Sequence, residues 1–440
     1  TPRPSAWAWA RAGRSSKPLA PQRPCAFPVI GTKRTGSTGA PFDPAADRPI
    51  LPLTIPHQKE ATVSAYLGSF SRRRLLAAAM GAGGMGIAGG VFSAARVDSA
   101  KAMGAAPPEV DRLSVRVVTD SYHHLFEKSG RFGEVGVQRY SRPPSKDLPR
   151  TLQNEWGLSL HLESARGSET RQVLVDFGFT PETLNTNLAL LGIDPAKLDA
   201  MLLTHGHYDH FGGMVGFLAT HGKSLKPGLP FLLGGEECFC TRESGPAATP
   251  SNFGVLDRNA IVAAGVSIQF ADRPSLVADH GFTTGFIPLA SFEKPAQPTR
   301  MKVGRQDDGL GCAPEALPGE KRNLTLVPDD FQHEHATCYV VKGKGLVVLT
   351  SCGHRGIVNS IRGAMKVSGV DKVHAILGGF HLMPMPIEYV RDTVAALKEI
   401  NPDVLVPMHC TGTPFYEVAK QEMPGRVLLS STGTRFTFGA

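Results

Sequence analysis

The chain has 440 residues, room for two or three average domains or one large α/β unit with extensions. Its 47 Lys and Arg against 39 Asp and Glu give a formal +8, which taken whole would suggest a nucleic-acid or anionic-membrane partner. The distribution argues against both: residues 1–102 hold 14 basic and 4 acidic side chains, so residues 103–440 carry a net −2. Seven cysteines, an odd number without a CxxC framework, argue against a disulfide scaffold.

Eleven of the 35 prolines fall in the first 60 residues, among Arg, Ser and Ala and without apolar periodicity. Such a composition buries too little apolar surface to offset its ordering entropy. Residues 1–62 are therefore expected to be a disordered leader, or to precede the true start. The chain begins at Thr1, and a start at Val63 would leave a short n-region. Next, "SRRRLLAAAMGAGGMGIAGGVFSAA" places Arg72, Arg73 and Arg74 before 21 uncharged residues, six of them Gly and seven Ala. The run is weakly apolar for a stable span of ~20 residues. A twin-arginine export signal over 63–102 is the better reading. Ala100 and Ala102 are small residues suited to cleavage, giving a periplasmic or otherwise exported protein from about Met103 with no membrane span after signal removal.

From residue 113 onward, short β-rich runs alternate with helical patterns and Gly-rich turns, which favours a layered α/β fold. "GLSLHLES" and "RQVLVDFG" read as paired strands. Thr180 caps a helix that starts at Pro181, carries Leu184, Leu188 and Leu191 on one face and stops at Gly192. The strand "LDAMLL" then delivers the chain to Thr204, with a helix "MVGFLATHG" beyond. Residues 240–330, rich in Gly, Pro and polar side chains, read as an insertion facing substrate. Alternation resumes with a hairpin through Gly343–Gly345, then a loop and helix, "VHAILGGFHL", another helix, "DVLVPMHCTG" and "RVLLSSTGTRFTF".

The chemistry concentrates in "THGHYDHFGG". Zinc and similar ions take imidazole nitrogen and carboxylate oxygen at ~2.0–2.2 Å, so a binding segment must turn several such groups inward over a few residues. His205, His207, Asp209 and His210 do this in six positions at the end of a strand, where open α/β sheets place ligands. His205 and His207 can serve one ion while Asp209 and His210 serve a second, with Gly206, Gly212 and Gly213 letting the backbone bend and pack closely. Further ligands must come from elsewhere. Three later strand ends supply candidates: Cys352 and His354 in "TSCGH", His381 in "GGFHL", and His409 and Cys410 in "PMHCTG". "QHEHA" adds Glu334 and His335.

These residues resemble the metallo-β-lactamase superfamily, whose HxHxDH signature is matched in full at 205–210. "LVDFG", "LGIDPAKLDAMLLTHGHYDHFGG", "GKGLVVLTSCGHRGIVNSI", "ILGGFHL" and "VPMHCTG" are together similar to the branch of 7,8-dihydropterin-6-yl-methyl-4-(β-D-ribofuranosyl)aminobenzene 5′-phosphate synthases. The resemblance runs from about 113 to 440. It implies an αββα sandwich over 103–440, with metals at the edge between two sheets. It assigns His205 and His207 to one ion, and Asp209, His210 and His409 to the other. The chain departs from the pattern in three places. "TSCGH" stands where many members carry a bridging Asp, so Cys352 or His354 replaces it. "HEHA" stands where the upstream GH motif would be, making His335 a further candidate. "DFG" at 176–178 replaces Asp-Thr-Gly.

The reading is of a hydrolase or transferase using one or two divalent ions, zinc first, on a small-molecule substrate, phosphorylated substrates included. Asp209 and His354 carry the chemistry, with the metal held by His205, His207, Asp209, His210, His354 and His409 and, secondarily, by Cys352, His381 and His335. Arg355 and Asn359, at the start of a helix, are expected to stabilise an anionic substrate group. The alternative is a non-catalytic periplasmic metal-binding or sensing protein on the same fold.

Overall fold

Successive side chains of a strand point to opposite faces, and the central strands here are apolar on both. Val173, Val175, Ala200 and Leu202 point into one cluster, whereas Leu174, Met201 and Leu203 point into another. Likewise Val347, Leu349, Ala375, Leu377, Val404 and Val406 join the first cluster, whereas Val348, Ile376 and Leu405 join a third. The first cluster lies between two sheets, and the other two lie between each sheet and its helices. That is the αββα layering implied above.

The computed structural model describes residues 97–440 apart from 105, 125, 144, 145, 147, 148, 296 and 297. The expected leader and the twin-arginine run lie outside the described residues. One sheet has ten strands, in the order Asp98–Ser99, Ser267–Phe270, Pro230–Leu233, Ala200–Leu203, Glu169–Val175, Ser159–Arg166, Arg112–Thr119, Arg435–Gly439, Val135–Gln138 and Gly130–Phe132. The second runs Ser275–Val277, Gly281–Thr283, Thr337–Val341, Gly345–Thr350, Val373–Gly378 and Val404–Pro407, with Glu109–Val110 beside Thr337–Val341. A third, of four strands, is Ser251–Asn252, Thr241–Ser244, Thr299–Lys302 and Leu326–Pro328.

Local signals and structure agree at the helix Pro181–Leu191, where the Thr183 N–H donates to Thr180 Oγ1 and Gly192 takes the left-handed conformation at φ 67°. The strands Thr337–Val341 and Gly345–Thr350 form the expected hairpin. The segment 240–330 is divided: its ends build the four-stranded sheet, while 267–283 adds strands to both large sheets. Residues 97–102 lie on the signal side of the expected boundary; 98–100 run along an edge of the first sheet, where the Ala100 N–H donates to Phe270 O, and Lys101 O accepts the Leu276 N–H at the edge of the second. Among the described residues no helix is long and apolar enough to cross a membrane.

Candidate metal centre

The strand Ala200–Leu203 ends at Thr204, and the chain turns through His205 and His207 into a single helical turn, Tyr208–Phe211. Gly212 and Gly213 close this turn onto the loop after Val175. A Cβ at either would lie 2.2 Å from a backbone oxygen, of Phe179 and Phe177 respectively. In the other sheet the parallel strands Gly345–Thr350, Val373–Gly378 and Val404–Pro407 end side by side. Their loops deliver Cys352 and His354, His381, and His409 and Cys410. Asp176, His381 and His409 hold left-handed backbone conformations at φ 57°, 48° and 48°, a strain that persists where surrounding structure enforces it.

Ligand atoms of His205, His207 and His354 all lie within 4.8 Å of one another, as do those of Asp209, His210 and His409. Asp209 Oδ2 is 3.3 Å from His409 Nε2 and 3.8 Å from His210 Nε2. Cys352 Sγ is 3.2 Å from His210 Nε2. Several atoms of these sets are buried and have no hydrogen-bond partner: His205 Nε2, both ring nitrogens of His354 and His409, and Asp209 Oδ1. Each such orphan costs about 1–3 kcal/mol, and a divalent ion between them would satisfy several at once. Imidazole and carboxylate donors in sets of three fit a borderline ion such as zinc.

His335 stays outside these sets: its ring is buried and its backbone N–H donates to Thr204 O. The functional part of "HEHA" is Glu334, whose carboxylate accepts the N–H groups of His354 and Arg355 at 2.8 and 2.7 Å. It thereby fixes the loop that presents His354. Arg355 and Asn359 lie outside these sets too, and the hydrogen bonds they make run to protein groups. Arg355 donates from Nε to Ile287 O and from Nη1 to Asp330 O. Asn359 is fully buried, accepting from the Ala290 N–H and donating to Arg355 O. The N-terminus of their helix, Ile357–Ser368, is already met by a carboxylate, since Glu293 Oε2 accepts the Asn359 N–H at 3.0 Å. Burial raises the Glu293 pKa to about 7.

Burial also sets the protonation of the ligand sets. His205 and His354 are held well below the usual imidazole value and His207 falls to about 3, so all three are neutral, the form that ligates a metal. Asp209 would be raised by burial, but His210 and His409 outweigh that and hold it low. His409 is the reverse: burial opposes its charge, yet Cys410, Asp209 and Asp120 raise it to about 9. His409 would have to give up that proton to act as a ligand.

A supporting network, mostly invisible in the sequence, orients the ligands. Asp176 Oδ2 accepts from His210 Nδ1 and Thr204 Oγ1, both at 2.8 Å, leaving His210 Nε2 for the ion. Thr299 Oγ1 bonds His207 Nε2 at 2.8 Å and donates to Asp329 Oδ2, which also pairs with the buried Arg242. Because the Thr299 proton goes to Asp329, its oxygen accepts from His207 Nε2–H, and His207 Nδ1 keeps the lone pair. Asp120 Oδ1 accepts the His409 N–H at 3.1 Å. The available signal was positional: Asp120 and Asp176 each end an apolar strand, where a buried carboxylate needs partners. Thr299, Asp329 and Arg242 carried no such mark. A groove of about 180 Å³, walled by Trp156 and Phe253, opens on His207, Asp209, His354 and His409.

This is the metallo-β-lactamase fold, with ligand-type side chains gathered at the edge between its two large sheets. The family model of the metallo-β-lactamase superfamily matches residues 166–227. The chain is 28% identical over 275 residues to the 7,8-dihydropterin-6-methyl-4-(β-D-ribofuranosyl)-aminobenzene-5′-phosphate synthase of Methanocaldococcus jannaschii, covering 59% of this chain and 82% of that one. It is 23% identical over 242 residues to an uncharacterized protein of the same archaeon, covering 55% and 80%. A crystal structure described as a metal-dependent hydrolase of the β-lactamase superfamily superposes with a TM-score of 0.53 at 22% identity, covering 73% of this chain and 98% of that one. Together these support a metal-dependent enzyme in general terms.

Proposed function

We propose that this chain is an exported hydrolase or transferase of small molecules. His205, His207 and His354 hold one divalent ion, and Asp209, His210 and His409 a second, with zinc the expected metal. The observation that carries the reading is the pair of three-residue sets, in which buried nitrogens of His205, His354 and His409 and one oxygen of Asp209 have no hydrogen-bond partner. Bound there, the ions would supply water activation near neutral pH and polarise a carbonyl or phosphoryl oxygen. The chain's own residues do the rest. Thr299 keeps the proton on His207 Nε2, and Asp209 Oδ1 is the free buried acceptor for a proton-bearing nucleophile. Trp156, its ring 4.8 Å from that of His409, covers one side of the groove and limits water there.

A phosphorylated substrate is supported by the synthase relative, whose name includes a 5′-phosphate. With Glu293 on the helix N-terminus, the anion would be bound by the metal sets. Export is supported by the disulfide Cys240–Cys312, a bond that persists in oxidising compartments. An exported site would not meet the reduced pterin and ribosyl substrates expected inside a cell. Hydrolysis of an extracytoplasmic ester is therefore the favoured reaction.

The test is metal content per chain together with turnover of bis(p-nitrophenyl) phosphate, a thioester, a lactone and a β-lactam, with and without chelator. Two ions and chelator-sensitive turnover on at least one substrate are expected. Stoichiometric metal without chelator-sensitive turnover on any of them would overturn the enzyme reading. Export is tested separately by changing Arg72 and Arg73 to Lys, which should hold the precursor in the cytoplasm; unchanged localisation would refute it.

A further inference from the structure

Four cysteines are free and buried among the described residues. Cys238 and Cys338 belong to no ligand set, packing instead in the two outer apolar clusters. Cys352 and Cys410 are different. Their sulfurs stand 3.4 Å apart, and with His381 they form a third set whose ligand atoms all lie within 4.8 Å of one another. His381 Nδ1 is buried and has no hydrogen-bond partner. The approach of Cys410 depends on Gly379, where a Cβ would lie 2.8 Å from Cys410 Sγ and 2.1 Å from Ser351 O.

We infer that Cys352, Cys410 and His381 form a third, thiolate-rich site for a soft or borderline ion such as zinc, beside the two sets of histidines and aspartate. The inference extends the proposed metal reading but uses different ligands. Two thiolates on bonds of ~2.3 Å at a near-tetrahedral angle stand ~3.7 Å apart, so the sulfurs need move only a few tenths of an ångström. The step balances simply. Any proton a sulfur still carries goes to solvent, two sulfur–metal bonds form, and His381 adds a lone pair without a change of oxidation state. Cys352 links this site to its neighbour, since its sulfur is also 3.2 Å from His210 Nε2. Thiolate ligands select zinc over magnesium or manganese at this position.

The full chain is loaded with cobalt(II) as the spectroscopic probe. Thiolate-bound cobalt gives a near-ultraviolet charge-transfer band, whereas the nitrogen and oxygen sites give visible d–d absorption alone. The wild type should show both. Cys410→Ser should lower the near-ultraviolet band about twofold, and His381→Ala should weaken the affinity of the ion that produces it at least tenfold. His207→Ala should reduce the visible bands and leave the near-ultraviolet band in place. Visible bands with no charge transfer, or a band indifferent to Cys410→Ser, would overturn the thiolate site and leave the two-ion reading standing. A charge-transfer band with visible absorption indifferent to His207→Ala would do the opposite. Zinc K-edge absorption of the unaltered protein is independent of any variant's folding and should show sulfur at ~2.3 Å. A shell of nitrogen and oxygen alone, or an isolated chain lighter by two hydrogens beyond the two lost to Cys240–Cys312, through a Cys352–Cys410 disulfide, would also overturn it.

Discussion

At the scale of single residues, the ligands depend on partners that never touch the proposed ions. His207 presents Nδ1 because Thr299 occupies Nε2, and Thr299 accepts there because its own proton goes to Asp329. Outer partners of this kind fix tautomer and ring orientation, and their loss commonly costs 10–100-fold in metal affinity. Thr299→Val, which keeps the shape and removes the hydroxyl, should therefore weaken binding at the His205, His207 and His354 set about 10–100-fold in a chelator competition. Binding at the Asp209 set should change little. Asp176→Asn should weaken the Asp209 set more, since Asp176 bonds His210 directly and reaches His205 only through Thr204. Equal losses at both sets in either variant would mean general destabilisation, and would reject the assignment of each partner to one ligand.

At the scale of elements, what was legible was whatever a strand end announces. The runs ending at Thr204, Thr350, Gly378 and Pro407 are apolar and uninterrupted, and the polar residues just beyond them converge because parallel neighbours end at one edge. Which of those residues meet was not legible. "HEHA" and "TSCGH" look equally ligand-like, yet a difference of backbone placement sends His354 inward and leaves His335 aside. Nor was the surrounding of Arg355 and Asn359 legible: a helix start with an Arg and an Asn suits an anion, and the carboxylate already there comes from Glu293, more than sixty residues upstream. Arg355→Met should accordingly act on stability, because it leaves the carbonyls of Ile287 and Asp330 without donors, a loss of about 2–4 kcal/mol. Denaturant melts should show that loss with metal content unchanged. Normal stability coupled to lost turnover would restore Arg355 as a substrate contact.

At the scale of the whole described chain, long-range ties close what local signals leave open. Cys240–Cys312 spans 72 positions and joins the start of the four-stranded sheet to the segment past its third strand. The entropy of closing such a loop is worth roughly 4 kcal/mol. The pair changed together to Ala should therefore melt at lower denaturant concentration. The pH dependence belongs at this scale too, because one group that contributes to it sits where three strands meet. His161 lies on Ser159–Arg166, its Nε2 3.2 Å from Gln172 Oε1, with Arg116 and Arg435 on the strands beyond. Burial is the main reason its pKa falls to about 4, and the two arginines add to it. Between pH ~6.5 and ~4 the unfolded chain therefore binds a proton that the folded chain refuses. The contribution is fully present above ~6.5 and is lost as pH falls toward 4, up to about 3 kcal/mol in all. His161→Gln, which keeps a polar group opposite Gln172 and cannot be protonated, should flatten the fall in stability between pH 7 and 5 relative to wild type. Urea melts of both proteins across that range, each fully loaded with metal, decide it. Parallel curves would assign the acid sensitivity to other groups and leave His161 with a packing role alone.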